Sequence, residues 1–416
     1  MRREQKLVVR MRRETKRSKV NGRHLAKGET MDTTIGPASV NNTERQIPHD
    51  YSLTGPSTQY AIETGLAAAE WYHTDIPRKT MKELMKRRDG PAVRDTIIWV
   101  ALLVLTAWLG IALWGSWWAV PFWLAYGVLY GSACDARWHE CGHGTAFRTR
   151  WMNDVVYHVA SFMVGRNPIN WRWSHARHHT DTIIVGRDNE IAWQHPINMV
   201  LKALAYVGIY EFWITLTSLV RNARGNLSDD EKAYIPETEW PKAVFWARIH
   251  LAIYAVTVVA SLAVLIGGAG WASTIPFLVI GGPRVYGCWH MVMTGLLQHG
   301  GLAENVIDHR LNSRTVYMNP ISSWIYWHME YHIEHHMFPM VPYYNLRKLH
   351  ELIKDDLPPP NTSIYDAYRE MFAAVMRQRR EPGYYLRRDL PQTAKPYKGA
   401  LHQFVPDRSD KPEKAA

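Results

Sequence analysis

The pattern of apolar and polar positions divides the chain into three kinds of segment. Residues 1–60 are polar, rich in Asn, Thr, Arg and Gly, and lack both a 3.6-residue and a two-residue rhythm, which predicts a disordered or loosely attached arm. Residues 61–380 hold the apolar runs and should form the folded domain, and 381–416 return to a polar tail punctuated by Pro. Inside the middle segment, TIIWVALLVLTAWLGIALWG at 96–115 carries no charge. At about 1.5 Å per residue it can cross ~30 Å of hydrocarbon. A second apolar run, 117–133, follows after Ser116 alone, so the two are predicted to form a tight transmembrane hairpin. A second hairpin is predicted from 243–267 and 271–297, joined by a Gly-rich turn and interrupted by Arg248, His250 and Arg284.

The other periodic stretches are amphipathic. DIPRKTMKELMKRR at 75–88 offers Asp75 as a cap, Pro77 in a first turn, and Met81, Leu84 and Met85 on one face, the pattern of a basic helix lying on a membrane. The stretch 198–220 is apolar on one side but contains Lys202 and Glu211, and it too is expected at the interface. Two further helices are predicted at 343–354 and 364–377, separated by Pro358, Pro359 and Pro360.

Charge changes this picture only through its location. Of the net +11, residues 1–30 supply +8 through eleven Lys/Arg against three Glu, leaving +3 for the rest. The basic balance therefore belongs to one arm, suited to anionic lipid, and no zinc-finger or basic-aromatic module accompanies it, so no nucleic-acid partner is expected. Lys86, Arg87, Arg88 and Arg94 precede the first span and place that end in the cytoplasm by the positive-inside tendency. Nineteen Trp and twenty-one Tyr suit interfacial belts. Three scattered cysteines suggest neither a disulfide framework nor an iron-sulfur site. The expected fold is an all-α integral membrane protein with four transmembrane helices in two hairpins, under a cytoplasmic helical cap, with both termini cytoplasmic.

The unusual residue is histidine. HECGH places His139 and His143 just after the second span, HARHH supplies His175, His178 and His179 between the hairpins, and HIEHH supplies His332, His335 and His336 after the fourth span. His299 stands alone in LLQHGG. On a helix, residues at i, i+3 and i+4 share a face with Cβ atoms ~5–6 Å apart, so each box can aim its imidazoles at one place. Neutral imidazole binds iron, zinc and related metals. Eight box histidines, or nine with His299, exceed the needs of one first-row ion and suit two. With 20 histidines in 416 residues, HxxHH should arise by chance in roughly one such chain in twenty, and a pair of them in on the order of one in a thousand. The boxes are therefore read as a built metal site.

HECGH also satisfies HExxH, in which two histidines bind zinc and the glutamate activates water. A zinc metalloprotease of that kind needs one more ligand and leaves both HxxHH boxes without work. Glu140 is instead expected to orient a ligand or to face the polar loop.

The order HxxxH, HxxHH, HxxHH around two predicted hairpins, with YHIEHHMFPMVP after the last, resembles the membrane fatty acid desaturase superfamily, which includes related hydroxylases. The likeness spans roughly 75–355. It implies that His139, His143, His175, His178, His179, His299, His332, His335 and His336 hold two iron ions that use O2 as co-substrate. It implies desaturation of a fatty acyl chain in a bacterial inner membrane. Desaturation of a small non-lipid metabolite such as dihydrorhizobitoxine, hydroxylation, and a metal-binding scaffold without catalysis stand as alternatives. The sequence has no Gly-rich dinucleotide loop, Cys-rich cluster or haem module, so electrons are expected from a separate ferredoxin, rubredoxin or cytochrome b5-like donor. His328 departs from the family pattern and is a candidate to hold water or support a ligand. Asp181, Asp188 and Glu190 in TDTIIVGRDNEI are candidates to hydrogen-bond ligand imidazoles.

Overall fold

The computed structural model describes residues 50–194, 198–381 and 383–398. Among them helices alternate with loops and two isolated β-bridges, Thr315 with Tyr331 and Val316 with Asn361. Residues 1–49, with the whole basic stretch 1–30, lie outside the described residues. Helix α1 (Pro56–Glu63) begins before the expected boundary at 61, and Thr58 Oγ1 ties it back to the Leu53 carbonyl at 2.9 Å. Helix α2 (Arg78–Leu84) is shorter than expected: Pro77 is its N-cap, and Asp75 pairs with Lys395 instead of capping.

Helix α3 (Asp89–Ala112) starts seven residues ahead of the apolar run and, at 24 residues, spans about 36 Å. It packs along α4 (Ala119–Gly131), where Trp99 Nε1 donates to the Leu129 carbonyl at 2.7 Å. The Trp123 ring lies so close to Gly110 that a Cβ there would come within 2.8 Å of it. Helix α4 has only 13 residues, about 20 Å, before Ser132 separates it from α5 (Ala133–His143). The run 117–133 is thus not one full-length helix. Helices α6 (Arg150–Met163) and α7 (Pro168–Thr180) follow.

Where one interfacial helix was expected over 198–220, α8 (Met199–Val207) and α9 (Ile209–Ala223) meet at an 85° bend. Gly208 makes the bend, with φ of 70° and no room for a side chain: a Cβ would lie 2.5 Å from the Arg284 carbonyl oxygen. Helix α10 (Trp240–Ile266) runs 27 residues, about 40 Å. The helices that contain α3 and α10 are the two described helices long and apolar enough to cross a membrane, and the bent pair would make a third if it were a single broken span. The expected fourth span, 271–297, is broken into Gly270–Thr274, Ile275–Val279, Pro283–Tyr286 and α11 (Trp289–His299). Pro276, Gly281, Gly282, Pro283 and Gly287 supply the breaks. They also allow close approach, since a Cβ on Gly287 would sit 1.8 Å from the Gly127 oxygen of α4.

Apolar side chains face outward along both long helices, among them Ile97, Val104 and Trp108 on α3 and Val256, Val259 and Leu262 on α10. Trp117, Trp118 and Trp271 are exposed at the ends of the hairpin turns. Such a contiguous exposed apolar surface fits lipid contact.

Helices α12 (His332–Met337), α13 (Tyr343–Ile353) and α14 (Ile364–Gln378) complete the cap, the last two close to expectation. The described part of the tail, 383–398, is docked. Leu386 N donates to the Gly301 carbonyl at 2.9 Å, and buried Arg310 donates to the carbonyls of Lys395 and Pro396 at 3.0 and 3.1 Å.

Candidate metal centre

Each histidine box sits where the local sequence fixes a helix end. His139 and His143 occupy the last two turns of α5, which Gly144 closes in the left-handed conformation. Asn167 caps α7, accepting from Ile169 N at 3.0 Å, and Pro168 opens it, so His175, His178 and His179 fall in the final turns. His299 ends α11, and the third box forms the single-turn helix α12.

The nine histidines converge as two groups. His139, His143, His175, His179 and His335 can each offer a ring nitrogen within 4.8 Å of the others, and so can His178, His299, His332 and His336. Helical geometry explains the division. The i, i+4 pair of the second box, His175 and His179, serves the first group, and its i+3 member, His178, serves the second. The third box does the reverse, giving His332 and His336 to the second group and His335 to the first. The groups adjoin: the rings of His179 and His336 stack with centroids 4.5 Å apart.

The inward atoms are Nε2. Their separations are 3.1 Å for His143 with His175, 3.0 Å for His179 with His175, 3.2 Å for His335 with His179, 3.1 Å for His332 with His299 and 3.0 Å for His336 with His332. Nitrogens at right angles around an ion ~2.1 Å away would be ~3.0 Å apart, so these donors fit a pair of first-row metal ions.

Several outer nitrogens are anchored. His178 Nδ1 donates to Asp188 Oδ2 at 2.7 Å and His175 Nδ1 to Glu190 Oε2 at 3.0 Å, while His299 Nδ1 meets the Asn312 carbonyl at 2.7 Å. Thr182 Oγ1 lies 3.3 Å from His336 Nδ1. These contacts turn Nε2 inward. Burial, followed by repulsion among neighbouring imidazoles, holds His139, His175, His179, His332, His335 and His336 well below the usual histidine range. Burial brings His143 down to about 4 and His299 to about 3. Burial also pushes His178 down, but the charge and hydrogen bond of Asp188 outweigh it and leave that group raised. Except for His178, the set is held in the neutral form that binds metal.

Not every candidate joins the site. Asp181 pairs with Arg187 at 3.0 Å rather than with an imidazole. His328 belongs to neither group; its Nδ1 lies 2.9 Å from Ser323 Oγ and 3.3 Å from Glu330. Glu140 is fully buried, where burial pushes it up to about 7, and it accepts from Thr145 Oγ1 at 2.6 Å and Tyr343 N at 3.1 Å. Among the described residues it makes no hydrogen bond to an imidazole. Sequence reasoning missed Asn312 and Thr182, whose roles depend on contacts between distant segments. It also missed Trp171, stacked on His175 at 4.2 Å, and Glu334, which joins buried His350 and accepts from Thr315 Oγ1 at 2.7 Å.

A cavity of about 620 Å³ opens onto His139 and His175 of the first group and onto His178, His299 and His332 of the second. A reactant there would lie beside both.

Residues 115–368 match the family described as fatty acid desaturase. The chain is 25% identical over 281 residues to a Nostoc sn-1 acyl-lipid omega-3 desaturase (ferredoxin), covering 63% of this chain and 73% of that protein. It is 24% identical over 252 residues to the Delta(5) fatty acid desaturase fat-4 of Caenorhabditis elegans, covering 52% of this chain and 53% of that one. A Synechocystis sn-1 acyl-lipid omega-3 desaturase (ferredoxin) is 24% identical over 306 residues, 67% of this chain and 78% of its own length.

Proposed function

Since the chain belongs to the fatty acid desaturase family, we propose that it is a membrane-bound, O2-dependent di-iron oxidoreductase that introduces a C=C bond into an acyl chain. The observation that carries this reading is the convergence of nine histidines into adjoining groups of five and four. Iron bound by those nine residues would supply, with O2, the power to take hydrogen from an unactivated C–H bond, which no amino acid side chain has.

The chain's own residues orient and exclude. Asp188 and Glu190 fix the tautomers of His178 and His175, and Trp171 covers the outer face of His175. The cavity holds the reactant beside the histidines, and its placement there decides which hydrogens are lost. The reaction balances as CH2–CH2, O2, two electrons and two protons going to CH=CH and two waters. Two electrons must therefore come from a donor of the ferredoxin, rubredoxin or cytochrome b5 type, and ferredoxin is part of the name of two relatives. With α3, α4, α10 and the broken segment 271–297 embedded in lipid, the histidine cap and both termini would face the cytoplasm.

A second reading, a small polar metabolite as substrate, is favoured by the charged side chains on the cavity wall, among them Arg166, Lys202 and Arg284. One comparison tests both. Host lipids and polar metabolites are profiled by mass spectrometry with and without the chain, alongside metal analysis of the purified protein. A loss of two mass units and about two irons per chain are expected. A gain of sixteen mass units would mean hydroxylation, and one zinc with peptidase activity would overturn the reading.

A further inference from the structure

Arg284 is the least explained charge in the protein. Its residue is 3% exposed, and its Nε and Nη1 have no hydrogen-bond partner among the described residues. No ion pair neutralises it among the described residues, yet it lines the cavity that touches both histidine groups. It also falls within the apolar run 271–297, where an uncompensated charge is costly and is retained when it meets a polar cavity or its ligand.

The backbone around Arg284 is rigidly seated. A Cβ on Gly208 would lie 2.5 Å from the Arg284 oxygen, and a Cβ on Gly131 would lie 2.4 Å from the Pro283 oxygen. Ser132 Oγ donates to the Gly287 carbonyl at 2.6 Å. Three helices thus clamp the short Pro283–Tyr286 turn and present its guanidinium from a fixed position.

The cavity wall carries further charge. Glu190 is engaged by His175, and Glu231 by Arg221 at 3.0 Å. Arg166 and Lys202 face the rings of Trp138 and Trp193, while Asp135 acts on Arg166 and Arg284 and Glu211 acts on Lys202 from beyond ion-pair distance. The wall thus carries Arg166, Lys202 and Arg284 together with Asp135, Glu190, Glu211, Glu231 and Glu304, and of its three cations Arg284 is the one with neither an aromatic ring nor a carboxylate in contact among the described residues. An esterified acyl chain brings no anion to Arg284 and would leave its guanidinium desolvated and without a contacting partner. A carboxylate supplies the charge and the paired oxygens that a guanidinium fork accepts. Apolar Ile214, Met291, Val292, Leu296 and Met329 on the same wall suit the hydrocarbon part.

We propose that the substrate enters as a free acid whose carboxylate is held by Arg284 inside the cavity, with its reacting carbons beside the histidines. This rests on the desaturase reading and narrows its substrate to unesterified acids. The test uses the full chain in lipid nanodiscs, with binding of decanoate, palmitate and their methyl esters followed by native mass spectrometry. At least one acid should bind ~10-fold or more tightly than its ester, the scale of a charge-assisted hydrogen bond. Arg284→Met should bring the ratio to about one, and Arg284→Lys should restore most of it. Equal binding of acid and ester by the unaltered protein, binding of neither acid, or a ratio that survives Arg284→Met would overturn the proposal. Should Arg284→Met not fold, as judged by helical circular dichroism, the unaltered protein and Arg284→Lys decide by the same ratio. Iron content and double bonds in membrane lipids are read separately. Desaturation of esterified lipid that is indifferent to Arg284 removes this inference and leaves the desaturase reading standing, whereas a chain without iron removes that reading while the binding ratio stays measurable.

Discussion

The two histidine groups are not equivalent. The first has five imidazoles but few anchors: among the described residues only His175 reaches a carboxylate, and the outer Nδ1 atoms of His179 and His335 have no partner. The second has four, of which His178, His299 and His336 each meet Asp188, the Asn312 carbonyl or Thr182. One group is rich in ligands and loosely held, and the other is lean and braced. A site with five such groups would give up less affinity on losing one than a site with four. The shared boxes nonetheless tie the groups together, because each short helix feeds both.

The largest expected effect comes from removing a ligand from the lean group. His178→Ala leaves three imidazoles there and should abolish turnover and lower bound iron from about two to about one per chain. His335→Ala leaves four in the rich group and should also abolish turnover while retaining more metal than His178→Ala. Iron analysis of both purified variants checks this, and equal metal loss would break the comparison.

The sequence shows the converging histidines more clearly than it shows the groups that brace them. The i, i+3, i+4 spacing of HARHH and HIEHH makes convergence legible, because helical geometry is local. It does not reveal that His178 and His335 cross over, since that depends on how α7 and α12 face each other. Asp188 and Glu190 were legible as nearby acids, but Asn312 acts through its backbone carbonyl, which no side-chain pattern records. In the fold, α3 and α10 follow from continuous apolar runs. The segment at 271–297 reads as equally apolar by composition; its Pro and Gly residues carry the breaks, and the close approach of Gly287 to Gly127 is a contact that composition does not record.

The next effect probes the braces. Asp188→Asn should lower activity or metal affinity ~10- to 100-fold, as expected for loss of a carboxylate behind a ligand imidazole. Its carboxylate is fully buried and also holds Ile183 N at 2.8 Å and Glu190 N at 2.8 Å, so the whole loop behind α7 depends on it. Glu190→Gln should cost less, because that side chain is 19% exposed and an amide can still accept from His175. Titration of apo-protein with Fe2+ under anaerobic conditions ranks the two.

Acid should loosen both groups of the metal-free protein. Free histidine titrates near ~6.5, whereas burial holds His143 at about 4 and His299 at about 3. Between those values the unfolded chain binds protons that the folded one refuses. Stability present above ~6.5 is therefore lost as pH falls toward about 4 and about 3. His178 acts in the opposite sense: its raised value gives stability that is complete below ~6.5 and lost as pH rises through it. With eight lowered groups against one raised, the melting temperature of the apo-protein should fall from pH 7 to pH 5, and a flat profile would contradict the burial of the set.

The smallest effect marks where the metal centre ends. His328 precedes the third box closely enough to look like part of it, and its side chain is 38% exposed and bonded to Ser323 and Glu330. Its backbone is left-handed, with φ of 57°, as is that of Trp327 before it at 47°. Asparagine tolerates that conformation better than most residues, and its amide can still hydrogen-bond the Ser323 hydroxyl. His328→Asn should therefore leave iron content unchanged and turnover within about twofold, while His328→Val, β-branched in a left-handed position, should lower thermal stability without removing metal. If His328→Asn instead released iron, a tenth imidazole would have to be counted with the braced group, and the contrast between five and four would disappear.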